Sequence, residues 1–295
     1  MPDQITIAYV QEYKDTVALL MQQEGSRFRG AVTTGSHVGK AASVVEQFGP
    51  VAAVKRVHRH QDTPLLDVPQ DKRWVFPEDY EWASLIDDQD RLRMIIDPTG
   101  PYARNGANAM ARGQDDEIIP AFFGDAKVGE NGDETESFST ADHQVGVNVG
   151  GTASSLNVAK LQDAFRRHIA ANKGDIMEPM YCAISSFEHD ALLKELQTTS
   201  REFNGGQPIL VDGRIKRFMG FDFILSERLE ILAGNRRIPT WVKSGMYLGF
   251  WQDTKAQISE RADKSYAWQV YLCQTIGATR LEAGKVIEIQ VDDQI

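Results

Sequence analysis

The stretch from residue 49 to residue 124 constrains the fold most, because it predicts a long charged hairpin followed directly by a helix of small residues. Residues 51–60 are rich in strand formers, and residues 73–82 place aromatic side chains at alternate positions. Between them, QDTPLLDVPQD contains two prolines and predicts the tip that joins two strands. A lone two-stranded hairpin is at best marginally stable in water. We therefore expect this hairpin to lie on another surface, which could belong to a neighbouring subunit.

The segment after the hairpin predicts a helix with an unusual number of small interior residues. Asp97 and Pro98 supply a cap and a first-turn residue, and the helix should continue to about Phe123. Each glycine in a helix interior costs up to about 1 kcal/mol relative to alanine, so close packing against a sheet or a second helix should compensate. Pro120 should bend or end the helix. The small residues expected to make the close contact are Gly106, Ala109 and Gly113.

Long stretches of the chain resemble one family. The run RHQDTPLLDVPQDKRWVFPEDYEWASLIDDQDRLRMIIDPTGPYARNGANAMARGQDDEII is similar to the signature region of tailed-bacteriophage major capsid proteins with the HK97-like fold. GRIKRFMGFDFILSERL and DKSYAWQVYLCQTIGATRLEAGKVIEIQVDD are similar to the closing segments of the same family. The resemblance spans nearly the whole chain and is weakest at residues 129–137.

The resemblance implies an α+β architecture of the HK97-like capsid fold. In this sequence it places an N-terminal arm at 1–48, an extended hairpin loop (the E-loop) at 49–86, and a peripheral domain with a long spine helix at 87–150. The axial domain would occupy 151–250, and 251–295 would return as strands to the peripheral domain. These boundaries are expectations, since they are carried over from the family.

The resemblance also implies the function. The chain would assemble into hexamers and pentamers of the icosahedral head of a tailed double-stranded DNA phage, with no enzymatic activity and no cofactor. Its partners would be other copies of itself, a scaffolding protein and a portal, while a decoration protein is left open. It would be assembled in the host cytoplasm and end in the virion. The alternative within the fold is a nanocompartment shell that encloses cargo enzymes.

Composition excludes several classes of protein. A net charge of −10 argues against a protein that coats nucleic acid, because phosphate is bound chiefly by clustered Lys and Arg. The resemblance implies a shell that encloses DNA without sequence-specific binding, and the acidic balance is compatible with such a shell. No apolar run approaches the length of a membrane span, and the first ten residues lack the pattern of a signal peptide, so we expect no membrane association. Cys182 and Cys273 are expected to be buried thiols rather than a disulfide.

Local patterns predict elements elsewhere in the chain. The apolar spacing of residues 8–24 predicts an amphipathic arm, and the small, polar residues 30–43 indicate a flexible connection. Ser155 should open a helix, and MYCAIS predicts a buried strand. Ser185 and Glu188 then match a capping box at the start of a further helix. From about residue 208 onward the chain predicts mainly short strands.

The hairpin carries the candidate contacts between subunits. Surface ion pairs contribute little individually, but in a closed shell each contact is repeated many times. Tyr80 and Trp82 are expected in a core, whereas Trp74 and Phe76 are assigned equally to a core or to an interface. The candidate contact residues are Arg56, Arg59, His60, Asp62, Asp67, Asp71, Lys72, Arg73, Trp74 and Phe76.

Alternative sites are disfavoured by their spacing. GSHVGK at residues 35–40 has three residues between its glycines, where a phosphate-binding loop needs four, and Ala41 follows in place of Ser or Thr. His58, His60 and Asp62 would share one face of a strand and form a two-histidine, one-carboxylate metal set. Such a set needs a rigid scaffold, so a solvated or interface role is favoured. A metal-dependent enzyme using these three residues remains the third hypothesis.

Overall fold

The computed structural model describes residues 22–49, 51–59, 62–63, 65–86, 99–149, 153–171, 178–195, 210–211 and 213–292. The helices are α1 (Thr99–Phe123), α2 (Thr140–His143), α3 (Val158–Ala171) and α4 (Ser186–Lys194). The strands are β1 (Thr33–Ser36), β2 (Ala42–Phe48), β3 (Gln70–Val75), β4 (Glu78–Ile86), β5 (Ala126–Val128), β6 (Glu134–Glu136), β7 (Gln144–Val145), β8 (Met180–Ile184), β9 (Leu210–Val211), β10 (Arg214–Ile215), β11 (Arg217–Phe218), β12 (Phe221–Leu225), β13 (Ile231–Leu232), β14 (Asn235–Val242), β15 (Met246–Arg261), β16 (Ala267–Arg280) and β17 (Val286–Asp292). The amphipathic arm expected at 8–24 lies almost entirely outside the described residues.

The chain divides into two compact units, each made of segments that are distant in sequence. The first contains Glu78–Gln114, Gln252–Thr275 and the described residues among Met1–Ser26. The second contains Arg27–Pro77, Asp115–Trp251 and the described residues among Ile276–Ile295. Residues of α1 up to Gln114 therefore belong to the first unit, and the remainder of the helix belongs to the second.

The first unit packs α1 against the sheet formed by β15, β16 and β4. Gly106 lies where this packing is closest, because a Cβ atom added there would lie 2.6 Å from Trp82 Cε3 and 2.7 Å from Leu272 Cδ1. A buried amide reinforces the contact: Gln274 donates to the carbonyl oxygen of Met110 at 2.8 Å and accepts from Gln114 at 3.1 Å. The small residues of the helix thus allow its backbone to approach large side chains of the sheet.

The second unit contains a sheet whose strands lie in the order β11-β12-β8-β14-β17-β7, with β13 paired to β14. β8, the predicted MYCAIS strand, is central and buried. α3 begins at Val158 rather than at Ser155, because Asn157 Oδ1 accepts the backbone N–H of Lys160 at 2.8 Å and caps the helix. The capping box predicted for α4 is present: Ser185 Oγ accepts from Phe187 N, and the Glu188 carboxylate accepts from Ser185 N.

The predicted hairpin differs from the observed one in its first strand. Residues 51–59 form no strand and are exposed, whereas β2 pairs antiparallel with β3, from Ala42 opposite Val75 to Phe48 opposite Gln70. Residues 30–43 are also not simply a flexible connection, because β1 pairs parallel with β15 and β2 begins at Ala42. The strand-forming side chains at 51–60 do not by themselves produce a strand. A strand also requires a hydrogen-bonding neighbour, and β2 already occupies that edge of β3.

The second predicted strand is divided in two. β3 ends at Val75, and β4 begins at Glu78 in a different sheet. Pro77 has no backbone N–H to donate to a sheet, which explains the break. At the far end of α1, Pro120 does not end the helix, which continues to Phe123 before Gly124 N donates to Pro120 O at 2.8 Å.

Lys160 and His168 are buried basic side chains of the second unit. Lys160 donates to the carbonyl oxygens of Ser154 and Gln290, and burial lowers its pKa to about 8. His168 Nε2 lies 3.1 Å from the hydroxyl of Thr240. Because that hydroxyl donates to the carbonyl of Ile287 at 3.0 Å, it accepts from His168, which fixes the Nε2–H tautomer. Burial lowers the pKa of His168 to about 4.

Acid should destabilise the subunit through His168. Its pKa is about 4 when folded and about 6.5 in an unfolded chain, so the unfolded state binds more protons between these values. The contribution of neutral His168 is complete above pH 6.5 and is lost as the pH falls towards 4. A His168→Gln variant keeps an N–H donor but does not titrate. Denaturant unfolding of both proteins from pH 7 to pH 4 should therefore show the wild type losing more free energy of unfolding than the variant. Parallel losses would contradict the assignment.

Replacing Gly106 with Leu should destabilise the first unit, because the added side chain would overlap Trp82 and Leu272. Overpacking of this kind costs about 1 to 3 kcal/mol. The matched control is Ala107→Leu, which adds an equivalent side chain at the neighbouring exposed position and should change stability by less than about 0.5 kcal/mol. Thermal unfolding followed by circular dichroism measures both. Equal midpoints for the two variants would show that the helix is not closely packed at Gly106.

Candidate subunit-contact surface

The hairpin of the second unit is held at its base by a small sheet. The strand order is β2-β3-β5-β6, so β3 is hydrogen-bonded on both sides. Beyond the last strand pair, Phe48 opposite Gln70, the backbone N–H of Gly49 donates to the carbonyl of Pro69 at 2.7 Å. This bond closes the base of the hairpin, and the chain between the two residues forms the connection.

That connection is exposed along its described length. We call residues 51–59, 62–63 and 65–69 the exposed loop, because every one of them is accessible to solvent. Leu65 is 96% exposed. Large apolar side chains gathered on a surface mark interaction sites in soluble proteins. The large apolar side chains that this loop exposes are Val51, Val54, Val57, Leu65, Leu66 and Val68.

The predicted contact residues of the loop are solvent-accessible where they are described. Arg56 donates from Nε to the carbonyl of His58 at 3.0 Å, and Arg59, Asp62 and Asp67 are exposed. His60 lies outside the described residues, so the geometry of the three-residue metal set is not defined. Within the described part of the chain, no group of three or more His, Cys, Asp or Glu side chains is placed to hold a metal ion.

At the base of the hairpin, the predicted contact residues make contacts within the chain. Trp74 Nε1 donates to the carbonyl of Gly129 at 2.8 Å, and the Asp71 carboxylate accepts from Gly129 N at 3.3 Å. Gly132, with φ +77°, lies against the indole, where an added Cβ atom would be 3.0 Å from Trp74 Cγ. Trp74 thus holds the turn between β5 and β6, whereas Phe76 is exposed. A contact of either residue with a neighbouring subunit stays a prediction.

Two buried arginines connect the hairpin base with the end of α1 through Glu136, because Arg73 pairs with its carboxylate and Arg280 donates to its carbonyl oxygen at 3.4 Å. Arg73 is buried on β3 and forms an ion pair with Glu136. Arg280 donates to the carbonyls of Phe122 and Gly124 at 3.0 and 2.9 Å, at the C-terminal end of α1. Burial lowers the pKa of Arg280 to about 10, while Glu136 acts in the opposite direction, so the guanidinium remains charged at neutral pH. A cation here complements the negative end of the helix dipole.

Two contacts at the base could not be read from the sequence. Gly277 lies on β16 directly against the backbone of the chain leaving β3, where an added Cβ atom would be 2.1 Å from the carbonyl oxygen of Phe76. Gln47 donates to the carbonyl of Leu281 at 2.8 Å. Lys72 is half-buried on the same strand as Arg73. A cleft of about 490 Å³ opens beside these contacts, lined by Val45, Gln47, Phe48, Gly49, Pro69, Gln70, Asp71 and Glu282.

Comparison with known proteins identifies the family. A family model described as phage capsid protein matches residues 5–293. The chain belongs to the phage capsid protein family. It is a major capsid protein, and its function is a structural one in a shell of many copies. The predicted HK97-like fold is confirmed, and the nanocompartment alternative is not favoured.

Solved structures support the fold at low sequence identity. The cyanophage Pam1 capsid aligns over 99% of both chains with a TM-score of 0.73 and 13% identity. The capsid of cyanophage P-SCSP1u aligns over 96% of this capsid protein and 93% of that chain, with a TM-score of 0.72 and 13% identity. The capsid of a native GTA particle aligns over 95% of this chain and 94% of that chain, with a TM-score of 0.63 and 12% identity. No curated protein matches significantly. Among the described residues, no helix is long and apolar enough to cross a membrane.

Trp74 and Phe76 should differ in their effect on the isolated capsid protein. Trp74→Ala removes the hydrogen bond to Gly129 and the surface against which Gly132 packs, so it should lower the free energy of unfolding by about 1 to 3 kcal/mol. Phe76→Ala truncates an exposed ring and should change it by less than about 0.5 kcal/mol. Denaturant unfolding of dissociated subunits measures both. A Trp74→Ala subunit as stable as the wild type would exclude an important role for Trp74 within the chain.

Proposed function

We propose that this capsid protein assembles into the hexamers and pentamers of an icosahedral phage head, and that its exposed loop contacts a neighbouring copy in each ring. The observation that carries the proposal is the row of apolar side chains on a loop whose described residues are all exposed. Burying one Leu or Val side chain contributes about 1.5 to 3 kcal/mol. An isolated subunit leaves this free energy unused, and a neighbouring subunit can recover it.

Charge favours a second copy as the occupant. Residues 51–59 contain the basic residues Lys55, Arg56 and Arg59 and no acidic residue, in a chain with a net charge of −10. Asp62 and Asp67 lie further along the loop, so the basic part is residues 51–59, and this segment is attracted to the acidic surface of another copy. Nucleic acid would also attract these three charges, but it would not cover the apolar side chains that alternate with them. The loop thus has the mixed chemistry of a protein–protein contact.

The remaining parts of the proposal rest on family resemblance. The subunit of the shell is built from the arm (1–48), the E-loop (49–86), the peripheral domain with α1 as spine helix (87–150), the axial domain (151–250) and the returning strands (251–295). The shell encloses double-stranded DNA without reading its sequence, and it forms in the host cytoplasm with a scaffolding protein and a portal. We propose contacts with the neighbouring copy for the charged residues of the loop and for His60, and no catalytic step is involved.

The test compares two side chains of equal exposure. Leu65 and Val38 are each 96% exposed, but only Leu65 belongs to the exposed loop. Because neither side chain is packed, Leu65→Asp and Val38→Asp should both leave the unfolding midpoint of the dissociated subunit unchanged. Leu65→Asp should abolish or strongly reduce shells, since it places a charge in the proposed contact, whereas Val38→Asp should assemble as the wild type does. Negative-stain electron microscopy and light scattering measure assembly.

Normal shells from Leu65→Asp subunits would refute the loop contact. Failure of the wild type to form any shell, under conditions in which it is folded, would refute self-assembly itself.

A further inference from the structure

The tip of the β15–β16 hairpin holds a strained residue. After the single turn Ala262–Lys264, Ser265 and Tyr266 both adopt left-handed backbone conformations, with φ of 52° and 61°. The backbone N–H of Tyr266 donates to the carbonyl of Arg261 at 3.1 Å and closes the turn. A left-handed conformation costs an L-residue roughly 1 to 2 kcal/mol, and only Gly, Asn and Asp adopt it readily. A tyrosine here is an outlier.

Two other tight turns of the chain carry this cost at one residue rather than at two. The turn between β11 and β12 follows Met219 with Gly220, and the turn between β13 and β14 follows Ala233 with Gly234. In both, the second left-handed position is a glycine with φ of +86°. At the β15–β16 tip the equivalent position is Tyr266. Its side chain is 62% exposed, so packing within the unit does not compensate for the strain.

We propose that Tyr266 is an anchor residue for contact with a second copy of this chain. This inference rests on the proposed function, since it assigns a further contact of the same shell. Strained residues persist where function requires them, and Tyr is enriched among the residues that dominate binding because it provides a large, rigid surface and a hydroxyl group. Within the described part of the chain, no residue covers the exposed ring of Tyr266, whereas a neighbouring subunit can pack against the ring and bond to its hydroxyl group.

The charges of the tip favour another copy over nucleic acid. Glu260, Arg261, Asp263 and Lys264 contribute two acidic and two basic groups, so the tip carries no net charge. Phosphate recognition needs an excess of positive charge. Arg261 also pairs with Asp263 at 2.5 Å and donates to Gln269 at 3.1 Å, which orders the tip before binding. A preordered tip with alternating charges is suited to a surface of equally mixed charge, such as that of a second copy.

The experiment separates the side chain from the strain. Tyr266→Gly removes both, and Ser265→Gly removes comparable strain from the adjacent residue while keeping the ring. Both variants should leave the thermal midpoint of the dissociated subunit unchanged or higher. Tyr266→Gly should raise the protein concentration needed for shell formation at least about tenfold, as expected for loss of a residue that dominates a contact. Ser265→Gly should assemble at the wild-type concentration. Light scattering of the purified chain alone, with electron microscopy, provides both readouts.

Each other outcome overturns the inference. A Tyr266→Gly protein that assembles at the wild-type concentration shows that the ring makes no contact with another copy. A lower midpoint for Tyr266→Gly shows that the ring acts within its own subunit. Equal assembly defects in both variants show that the turn geometry matters and the side chain does not. If the wild type is folded but never forms shells, the proposed function fails, and this inference fails with it.

Discussion

The exposed loop depends on how its two ends are fixed. A flexible loop pays an entropy of closure that grows only with the logarithm of its length, so twenty residues cost little more than ten once the ends meet. Here the ends meet through the Gly49–Pro69 hydrogen bond and through the antiparallel register of β2 and β3. β3 is also paired with β5, so it cannot shift without breaking two ladders. The base is therefore specific even though the loop makes few contacts of its own.

Buried charge strengthens this specificity. The Arg73–Glu136 ion pair and the hydrogen bonds of Arg280 to Phe122 and Gly124 fix the strand of the hairpin relative to the end of α1. Desolvation of a buried arginine offsets much of the attraction of its partners, but removing those partners leaves an uncompensated buried charge. A different placement of β3 would also separate Arg73 from Glu136 and leave the buried guanidinium without its partner. We infer that these residues act chiefly by excluding other arrangements of the hairpin base.

Sequence patterns of neighbouring residues predicted those elements whose formation depends on neighbouring residues. The capping box at Ser185 and Glu188, the strand β8 and the end of α1 at Phe123 follow from neighbouring residues. Strand pairing is not local: residues 51–60 have the composition of a strand, yet β2 pairs with β3. The fold class came from resemblance over long stretches, which no pattern of local propensity could replace.

The candidate surface was only partly predictable for the same reason. Charged and aromatic residues identified the hairpin, but their division between base and loop depends on distant partners such as Gly129, which contacts both Asp71 and Trp74. The left-handed conformation of Tyr266 has no sequence signal, because turn preferences favour Gly or Asn there. A residue that contradicts local preference can be recognised only after its backbone is known.

The exposed loop and the Tyr266 tip suggest one physical principle for the subunit. Both keep features that are costly or unused in an isolated chain, namely exposed apolar side chains and a strained backbone. A contact stabilised by such features forms only when a neighbour is present, so folding of the subunit and assembly of the shell are separate steps. Because a closed shell repeats each contact many times, each can be weak and still give a stable particle. Weak individual contacts also dissociate readily, which lets a misplaced subunit leave before the shell closes around it.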